Sequence, residues 1–333
     1  MVGSIEVAVI RALHLGDLLC TIPAIRALRL AGPRSRIVLV GLPWAREFVA
    51  RYPHYFDDLL EFPGWPGIPE RELDEGSPAR LAAFQSSIER TFDVVLQLHG
   101  DGRIINDFAA TIPARVHAGF VPPDAPVVPP FHVAYPDALP EPLRMLAALP
   151  PLGLDVLDPT LELPVFEADR VEAHALRAAA GAGGQPYVIV HPGGRGDDRR
   201  WPFARFAAVA DALAARGLRI VVTGSAAERP IADALAARTL APVIDVVGRT
   251  SLGALAALVD EAQVVVTNDT GVSHVAAARQ TPSVVVFVGS DPARWAPIDR
   301  ARHLALGRGL RGGPVPVAAE VIDAALSLVG AAA

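Results

Sequence analysis

Short apolar runs alternate with helix-length, Ala-rich stretches along much of this chain, and polar residues follow the apolar runs. One run, Val264-Val265-Val266, is typical of a buried parallel strand. The polar residues 267–271 follow it, and a helix pattern begins near Val272. A chain that repeats strand, polar loop and helix is predicted to form a doubly wound, parallel α/β fold. In such folds ligands bind at the carboxyl ends of the strands.

The second half of the chain shows this alternation most clearly. Its predicted strands are Tyr187–His191, Arg219–Thr223, Val243–Val247, Val264–Thr267 and Ser283–Phe287. Its predicted helices are Phe203–Arg216, Pro230–Arg238, Leu252–Glu261, Val272–Arg279 and Ala318–Leu328. Neither half carries a Gly-x-Gly-x-x-Gly fingerprint in the right place, so a dinucleotide dehydrogenase is disfavoured.

The first half follows the same pattern less regularly. Strands are predicted at Ile5–Ile10, Arg36–Gly41 and Val94–Leu98. Pro23 is predicted to lie near the start of the helix after the first strand, where a missing N–H does least harm. Residues 121–142 hold many prolines and are predicted to form an irregular connection.

Composition excludes several classes of protein. A length of 333 residues favours two domains. Cys20 is the only cysteine, which excludes an internal disulfide and a Cys-based zinc site. The net charge of −6 argues against nucleic-acid binding. No apolar run is long enough for a transmembrane helix and no secretory signal is evident, so we expect a cytoplasmic protein with at most peripheral contact at the inner membrane face.

Polar loops at the predicted strand ends of the second half indicate a site for an anionic ligand. The loop 191–202 carries three arginines, including Arg199, and guanidinium groups suit bidentate phosphate contacts. The alternative is a solvated loop with Asp–Arg pairs. In Thr223–Arg229, Glu228 could accept hydrogen bonds from ribose hydroxyls or could cap a helix. The loop 248–251 is better explained as a helix cap.

The turn Asp269-Thr270-Gly271 gives the strongest local indication of a ligand. It stands between a strand and a helix, and a helix N-terminus offers unpaired N–H groups to a phosphate. Gly271 permits close approach of a ligand, and His274 lies about one turn further along the helix. The alternative is an ordinary helix cap followed by a surface histidine. Several such loops at one sheet edge together favour a nucleotide site.

Two strand ends in the first half carry candidate catalytic and binding groups. Asp17 follows the first strand, where a carboxylate could act as a general base or cap the next helix. His99 and Arg103 follow the strand Val94–Leu98 and could contact a polar or anionic acceptor. The alternative for the latter pair is a tight glycine turn with solvated charges.

The chain resembles glycosyltransferase family 9, the ADP-heptose:lipopolysaccharide heptosyltransferase family. The stretches that carry the resemblance are Gly16–Arg29, His191–Gly193 with Arg200–Phe206, Thr223–Glu228, Asn268–Ala278 and Gly289–Trp295. They occur in the family's order and extend over nearly the whole chain.

The resemblance implies a GT-B architecture, in which two Rossmann-like, doubly wound domains face an interdomain cleft. Residues 1–165 would bind the acceptor and residues 166–333 the sugar nucleotide, with the last helix able to pack back on the N-terminal domain. It also implies inverting transfer without a metal or another cofactor. The implied partners are a sugar nucleotide and a saccharide or glycolipid acceptor.

The resemblance also assigns roles to individual residues. Asp17 matches the catalytic base, and Glu228 matches a carboxylate that binds ribose. Arg199 stands where better-known members have a phosphate-binding lysine. The remaining residues that match the donor-binding segments are Thr223, Gly224, Asp269, Thr270, Gly271 and His274.

The implied function is transfer of a sugar, heptose from ADP-heptose, to a saccharide or a lipopolysaccharide-core acceptor. Residues 97–103 depart from the Asp-x-Gln-Gly-x-x-Lys type segment of the lipopolysaccharide enzymes, which bears on the acceptor. Two alternatives remain open: a sugar-nucleotide epimerase with two Rossmann-like domains, and a sugar-nucleotide-binding protein without transfer activity.

Overall fold

The computed structural model describes residues 4–155, 158–181, 183–307 and 314–331. The chain divides into two compact units, Met1–Thr160 and Leu161–Ala333. Within the described residues, each unit contains one six-stranded sheet, and all the strand pairs in both sheets are parallel. This arrangement confirms the predicted α/β class.

The first unit has the strand order β3-β2-β1-β4-β5-β6. Its strands are β1 Glu6–Ile10, β2 Arg36–Gly41, β3 Asp58–Glu61, β4 Phe92–Gln97, β5 Ala114–Val121 and β6 His132–Ala134. Its α-helices are α1 Leu15–Ala31, α2 Ala45–Ala50, α3 Ser77–Ser87, α4 Ile105–Ala109 and α5 Glu141–Leu146.

The second unit repeats this topology with the order β12-β11-β10-β7-β8-β9. Its strands are β7 Tyr187–His191, β8 Arg219–Val222, β9 Val243–Asp245, β10 Val265–Asn268, β11 Ser283–Val286 and β12 His303–Leu306. Its α-helices are α6 Glu167–Ala179, α7 Phe203–Ala214, α8 Arg229–Ala236, α9 Leu252–Asp260, α10 Gly271–Arg279, α11 Pro292–Trp295 and α12 Ala318–Ala331.

Both sheets therefore have the Rossmann strand order. In this order the chain adds strands outward on one side of the first strand and then returns to add the later strands on its other side. The reversal lies between β1 and β4 in the first unit and between β7 and β10 in the second. The loops that leave these two strands diverge, which opens a crevice at the carboxyl edge of the sheet. Each unit thus presents its candidate residues at such an edge.

Apolar strands form the core of each unit because both faces of a doubly wound sheet are covered. Every residue of β7 is buried, as is every residue of β10. Trp201 is 1% exposed and meets Phe206 edge to face, with ring centroids 4.9 Å apart. The last helix, α12, packs against α7 and adds Val321 to the core of the second unit.

The predicted strands are all present, with ends shifted by at most two residues. Two predictions in the first half were wrong. Helix α1 begins at Leu15, so Pro23 lies inside it rather than near its start. Neighbours such as Leu19 and Ile22 are buried, and their packing offsets the hydrogen bond that proline removes. The Pro-rich connection 121–142 contains strand β6, which pairs with β5. In the described part of the chain, no helix is both long and apolar enough to span a membrane.

Candidate functional site

In the first unit, Asp17 lies at the start of α1, directly after the central strand β1. It is the third residue of the helix, and its Oδ2 accepts a 3.4 Å hydrogen bond from the backbone N–H of His14, the N-cap residue. The alternative, that Asp17 caps helix α1, is therefore met in part: Asp17 bonds to the N-cap residue from the third position of the helix. The Asp17 side chain is 20% exposed, so the carboxylate remains accessible to a ligand.

Arg11, which the sequence did not indicate, is the main charged partner of Asp17. Its guanidinium donates to Asp17 Oδ1 at 3.3 Å and to Glu141 Oε1 at 2.7 Å, and Nη1 donates to the carbonyl of Leu98. Arg11 is 1% exposed. Burial opposes its charge, but the carboxylates of Glu141 and Asp17 outweigh that effect, and the net pKa of Arg11 is raised.

Glu141 joins Arg11 to a second buried guanidinium. Its Oε2 accepts from Arg144 Nη1 at 2.9 Å, and both side chains are buried. Arg144 also donates to the Tyr135 hydroxyl at 3.0 Å and to the carbonyl of Asp137 at 2.8 Å. Buried charges are tolerated when they are paired and hydrogen-bonded in this way. We call Arg11, Glu141 and Arg144 the buried network; it ends at Asp17.

His99 lies at the end of β4, beside the end of β1. Its Nδ1 accepts a 3.2 Å hydrogen bond from the backbone N–H of Ala12. Burial, and secondly the charge of Arg11, lower the pKa of His99 to about 3. The ring is therefore neutral at pH 7 and carries its proton on Nε2, which lies 4.0 Å from Oε2 of Glu70. A donor and an acceptor side by side suit a hydroxyl ligand, and Glu70 is a candidate that the sequence did not indicate.

Arg103, the other predicted acceptor contact, is engaged in surface pairs. Its Nη2 lies 2.5 Å from Oδ1 of Asp124, and its Nε lies 3.6 Å from Oδ2 of Asp101. The guanidinium is 57% exposed. The alternative of solvated charges in a glycine turn therefore describes Arg103 better than it describes His99.

In the second unit, Glu228 connects the loops after β7 and β8. Its Oε1 accepts from the backbone N–H of Gly194 at 2.8 Å, and its Oε2 accepts from the backbone N–H of Ser225 at 2.7 Å. The helix-capping alternative is thus present, together with a contact between loops. Burial would raise the pKa of Glu228, but His191 and these hydrogen bonds outweigh it and lower the pKa, so the carboxylate is ionised at pH 7. Oε2 also accepts from the Ser225 hydroxyl at 3.0 Å, so Oε1 is the oxygen that retains acceptor capacity for a ligand hydroxyl.

Gly193 leaves room for the carboxylate of Glu228, which any side chain at position 193 would displace. A Cβ built at Gly193 would lie 2.0 Å from Glu228 Oε1. The neighbouring Thr223 is buried, and its hydroxyl contacts Nδ1 of His191 at 3.0 Å, while Gly224 approaches the Glu228 side chain. Burial lowers the pKa of His191, and the Glu228 carboxylate opposes this shift.

Asp269 and Arg199 meet at the carboxyl edge of the second sheet. Arg199 Nη2 donates to Asp269 Oδ2 at 2.8 Å, and their side chains are 36% and 5% exposed, respectively. The Nε of Arg199 has no hydrogen-bond partner among the described residues. The ion pair fixes the guanidinium while leaving donors available to an anion.

The helix α10 begins directly after Asp269. Thr270 is its N-cap, with an extended backbone and a hydroxyl 3.3 Å from the backbone nitrogen of Val272. Gly271 is the first helical residue. His274 is 4% exposed, and its ring meets Trp295 edge to face at 6.0 Å, so it is a buried residue rather than a surface histidine.

Asn268 holds the loops of this edge together. Its Nδ2 donates to the carbonyls of Pro192 and Gly193 at 2.9 and 2.8 Å, and its Oδ1 accepts from the backbone N–H of Trp201 at 2.9 Å. The side chain is fully buried. The structure therefore brings Arg199, Glu228 and Asp269 to one edge through contacts made by Asn268 and Gly194. In the loop 248–251, Ser251 caps α9 as predicted.

Among the described residues, no group of three or more His, Cys, Asp or Glu side chains could hold a metal ion.

Comparison with known proteins identifies the family. The model of glycosyltransferase family 9 (heptosyltransferase) matches residues 131–309, which is more than half of the chain. Lipopolysaccharide heptosyltransferase 3 of Escherichia coli is 32% identical over 157 residues, covering 46% of this chain and 45% of that protein. Lipooligosaccharide heptosyltransferase 2 of Haemophilus influenzae is 28% identical and covers 47% of each chain. The chain thus spans about half the length of the curated relatives it matches.

Solved structures show the same fold over the full length. The glycosyl transferase family 9 protein of Veillonella parvula superposes with a TM-score of 0.82 at 23% identity, covering 99% of each chain. The ADP-heptose lipopolysaccharide heptosyltransferase II of E. coli gives a TM-score of 0.73 at 19% identity, covering 98% of this chain and 99% of that one. The chain thus has the GT-B fold of those proteins, with one parallel six-stranded sheet in each unit, and it belongs to glycosyltransferase family 9, the heptosyltransferase family.

Proposed function

We propose that this protein is an inverting, metal-independent glycosyltransferase that moves heptose from ADP-heptose to a hydroxyl of a saccharide or lipopolysaccharide-core acceptor. The second unit binds the sugar nucleotide and the first unit binds the acceptor. The observation that carries the proposal is the Arg199–Asp269 pair beside the N-terminus of α10, in a chain of this family.

The donor-binding role of the second unit rests on charge and on backbone geometry. A departing nucleoside diphosphate develops negative charge, which donors fixed in advance can stabilise. Arg199 supplies a guanidinium, and the first turn of α10 supplies backbone N–H groups and the positive end of the helix dipole. Glu228, ionised and placed between two loops, supplies an acceptor for ribose hydroxyls.

The catalytic role of Asp17 rests on its exposure and its surroundings. As the acceptor hydroxyl attacks the anomeric carbon of the donor, Asp17 takes the proton of that hydroxyl. A bond forms between the acceptor oxygen and the anomeric carbon, the bond from that carbon to the diphosphate oxygen breaks, and ADP leaves. Attack on the face opposite the diphosphate inverts the anomeric centre. Neutral His99 lies after β4, hydrogen-bonded to Ala12 beyond the end of β1, and Glu70 lies 4.0 Å from it; both would orient hydroxyls of the acceptor.

Isothermal titration with ADP, UDP and GDP, each with and without magnesium, tests the donor site. Binding of ADP that is tighter than that of UDP or GDP and insensitive to magnesium is the expected result. A preference for UDP or GDP would replace ADP-heptose with another sugar nucleotide. Failure to bind any of the three would remove the nucleotide site and the proposal with it.

A transfer assay separates this function from the two alternatives. The probes are ADP-heptose and a lipopolysaccharide core that lacks its heptoses, with mass detection of the product. We expect a product heavier by one heptose, formed only when the acceptor is present. Conversion of the sugar nucleotide without acceptor would favour an epimerase, whereas binding with no turnover would favour a binding protein.

A further inference from the structure

We propose that Arg11 and Glu141 are positioning residues for Asp17, so that the buried network holds the Asp17 carboxylate in the orientation that accepts the acceptor's proton. The proposal rests on the function proposed above, because it assigns Asp17 as the base. It adds two residues, one from the end of β1 and one from α5, to the acceptor side of the reaction.

The contacts of Arg11 carry the argument. A guanidinium presents its donors in a rigid plane, and Arg11 places them on a backbone carbonyl, on Glu141 and on Asp17. The carbonyl and Glu141 are buried, so they fix the plane of the group, and Asp17 Oδ1 is held at one corner of it. Among the described residues, the remaining oxygen, Oδ2, has only the long contact with the backbone of His14. It is the oxygen left to meet a hydroxyl.

Glu141 has a distinct part in this arrangement. A buried guanidinium with Asp17 as its only anionic partner would attract that carboxylate at full strength and compete with any ligand for it. Glu141 is nearer, at 2.7 Å against 3.3 Å for Asp17, and is therefore the stronger of the two anionic partners of Arg11. Arg144, held by Tyr135 and backbone carbonyls, in turn keeps Glu141 in place. Asp17 thus shares Arg11 with a closer carboxylate, which weakens the competition of Arg11 with a ligand for Asp17.

The titration of Asp17 tests the proposal without donor or acceptor. The charged and titratable groups around it are Arg11 directly after β1, Glu141 from α5, His99 after β4 and His14, the N-cap residue of its own helix. The full chain is labelled with ¹³C at the aspartate carboxyl carbons, and Asp17→Asn identifies the Asp17 signal. Removing a cation raises the titration midpoint of a carboxylate, and removing a second anion lowers it. We expect Arg11→Met to raise the midpoint by about 1 pH unit and Glu141→Gln to lower it by about half a unit.

Two further variants guard against a trivial result. Arg11→Lys keeps the charge if Arg11→Met does not fold, and its midpoint is expected within about half a unit of wild type. Arg29→Met removes an arginine on the same helix as Asp17, one that pairs with Asp57 at 2.7 Å, and should leave the Asp17 midpoint unchanged. A midpoint that stays at its wild-type value in both Arg11→Met and Glu141→Gln would overturn the proposal. So would an equal shift in Arg29→Met.

Transfer kinetics provide the second readout. We expect kcat to fall about 100-fold in Arg11→Met and about 10-fold in Arg11→Lys, with the KM for ADP-heptose unchanged. An unchanged kcat in Arg11→Met would overturn the positioning role. If the wild-type protein transfers no heptose, the proposed function fails by itself, and the opposite midpoint shifts still decide whether the network controls Asp17.

Discussion

In Asp17, Oδ1 contacts Arg11, and Oδ2 is the oxygen proposed to accept the proton. Replacing one carboxylate oxygen with an amide nitrogen tests the second role. Asp17→Asn keeps the shape of the side chain but removes the charge that accepts a proton. We expect the rate of transfer to fall by about 10²–10⁴-fold, since this is the usual contribution of a general base. The affinity for ADP, measured by calorimetry, should stay unchanged because the proposed donor site lies in the second unit. Transfer at the wild-type rate would show that Asp17 is not the base.

Gly193 offers a second test at the scale of one residue. In Gly193→Ala the new Cβ would lie 2.0 Å from Glu228 Oε1, so the carboxylate must move and its bond to Gly194 must break. We expect ADP to bind about tenfold more weakly, the loss of roughly one hydrogen bond to a charged group. Removing the 2′-hydroxyl of ADP should then have less effect than in the wild type.

Gly183→Ala is the matched control for this change. A Cβ at Gly183 would meet no atom within 4 Å, and its backbone is not in the left-handed region. The variant should bind ADP as the wild type does. If Gly193→Ala also binds ADP with wild-type affinity, the Glu228 contact has no part in holding the nucleotide.

At the scale of elements, Asn268 connects β10 to the loop after β7 and to Trp201, two residues before α7. Asn268→Asp would set a carboxylate oxygen against the carbonyls of Pro192 and Gly193, which now accept from Nδ2. We expect the free energy of unfolding to fall by about 2–4 kcal/mol, because a buried charge would replace two satisfied hydrogen bonds. Urea unfolding followed by tryptophan fluorescence measures this, since Trp201 donates its backbone N–H to Asn268.

Asn106→Asp in the first unit is the corresponding control. Asn106 makes one such bond, to the carbonyl of Phe120, and is partly exposed, so the loss should be smaller. An equal loss of unfolding free energy in both variants would mean that the bonds of Asn268 between loops stabilise the protein no more than the single bond of Asn106.

The central strands were predictable because their periodicity is unambiguous. Apolar runs such as Tyr187–His191 and Arg36–Gly41 have no polar face, which only a strand covered on both sides explains. The strands β3, β5, β6 and β12 were not predicted. Strands β3, β6 and β12 are three or four residues long and lie at the sheet edges, where partly exposed residues weaken the apolar pattern. The first four residues of β5 are exposed or partly exposed, which weakens its pattern in the same way. The position of Pro23 was predicted wrongly because tertiary packing outweighed the preference of proline for the first turn of a helix.

The candidate site was predictable where the sequence of a single loop is enough to place a residue. Asp17 and Asp269 each stand between a strand and a helix, so their place at a sheet edge followed from the local order of elements. Arg11 and Glu141 were not predictable, because they are 130 residues apart and only the tertiary fold brings them together. Arg103 was proposed as a ligand contact, yet the structure pairs it with Asp124, a residue 21 positions later.

For the whole molecule, buried neutral histidines predict a loss of stability in mild acid. Burial lowers the pKa of His99 to about 3 in the first unit and that of His303 to about 4 in the second. These pKa values lie below the ordinary value near 6.5, so protonation favours the unfolded chain. The contribution is complete above about pH 6.5 and is lost as the pH falls toward the folded-state values. At pH 5 we expect each histidine to cost about 2 kcal/mol.

Urea unfolding between pH 7.5 and 5 measures this slope. The carboxylates titrate mostly below that window, so the histidines dominate it. His303→Gln should flatten the slope, because a glutamine can take over the contact with Ser283 Oγ without titrating. A slope equal to that of the wild type would show that His303 is protonated as readily in the folded protein as in the unfolded chain.

The separation of Arg11 from Glu141 also bears on how the protein is made. A ribosome delivers Arg11 about 130 residues before its strongest anionic partner. Until α5 has left the exit tunnel, closing the first sheet around β1 would bury a guanidinium without that partner, which is strongly unfavourable. The first unit therefore completes its folding late in its own synthesis, and a nascent chain arrested before α5 should remain open to proteases while one arrested after it should resist them.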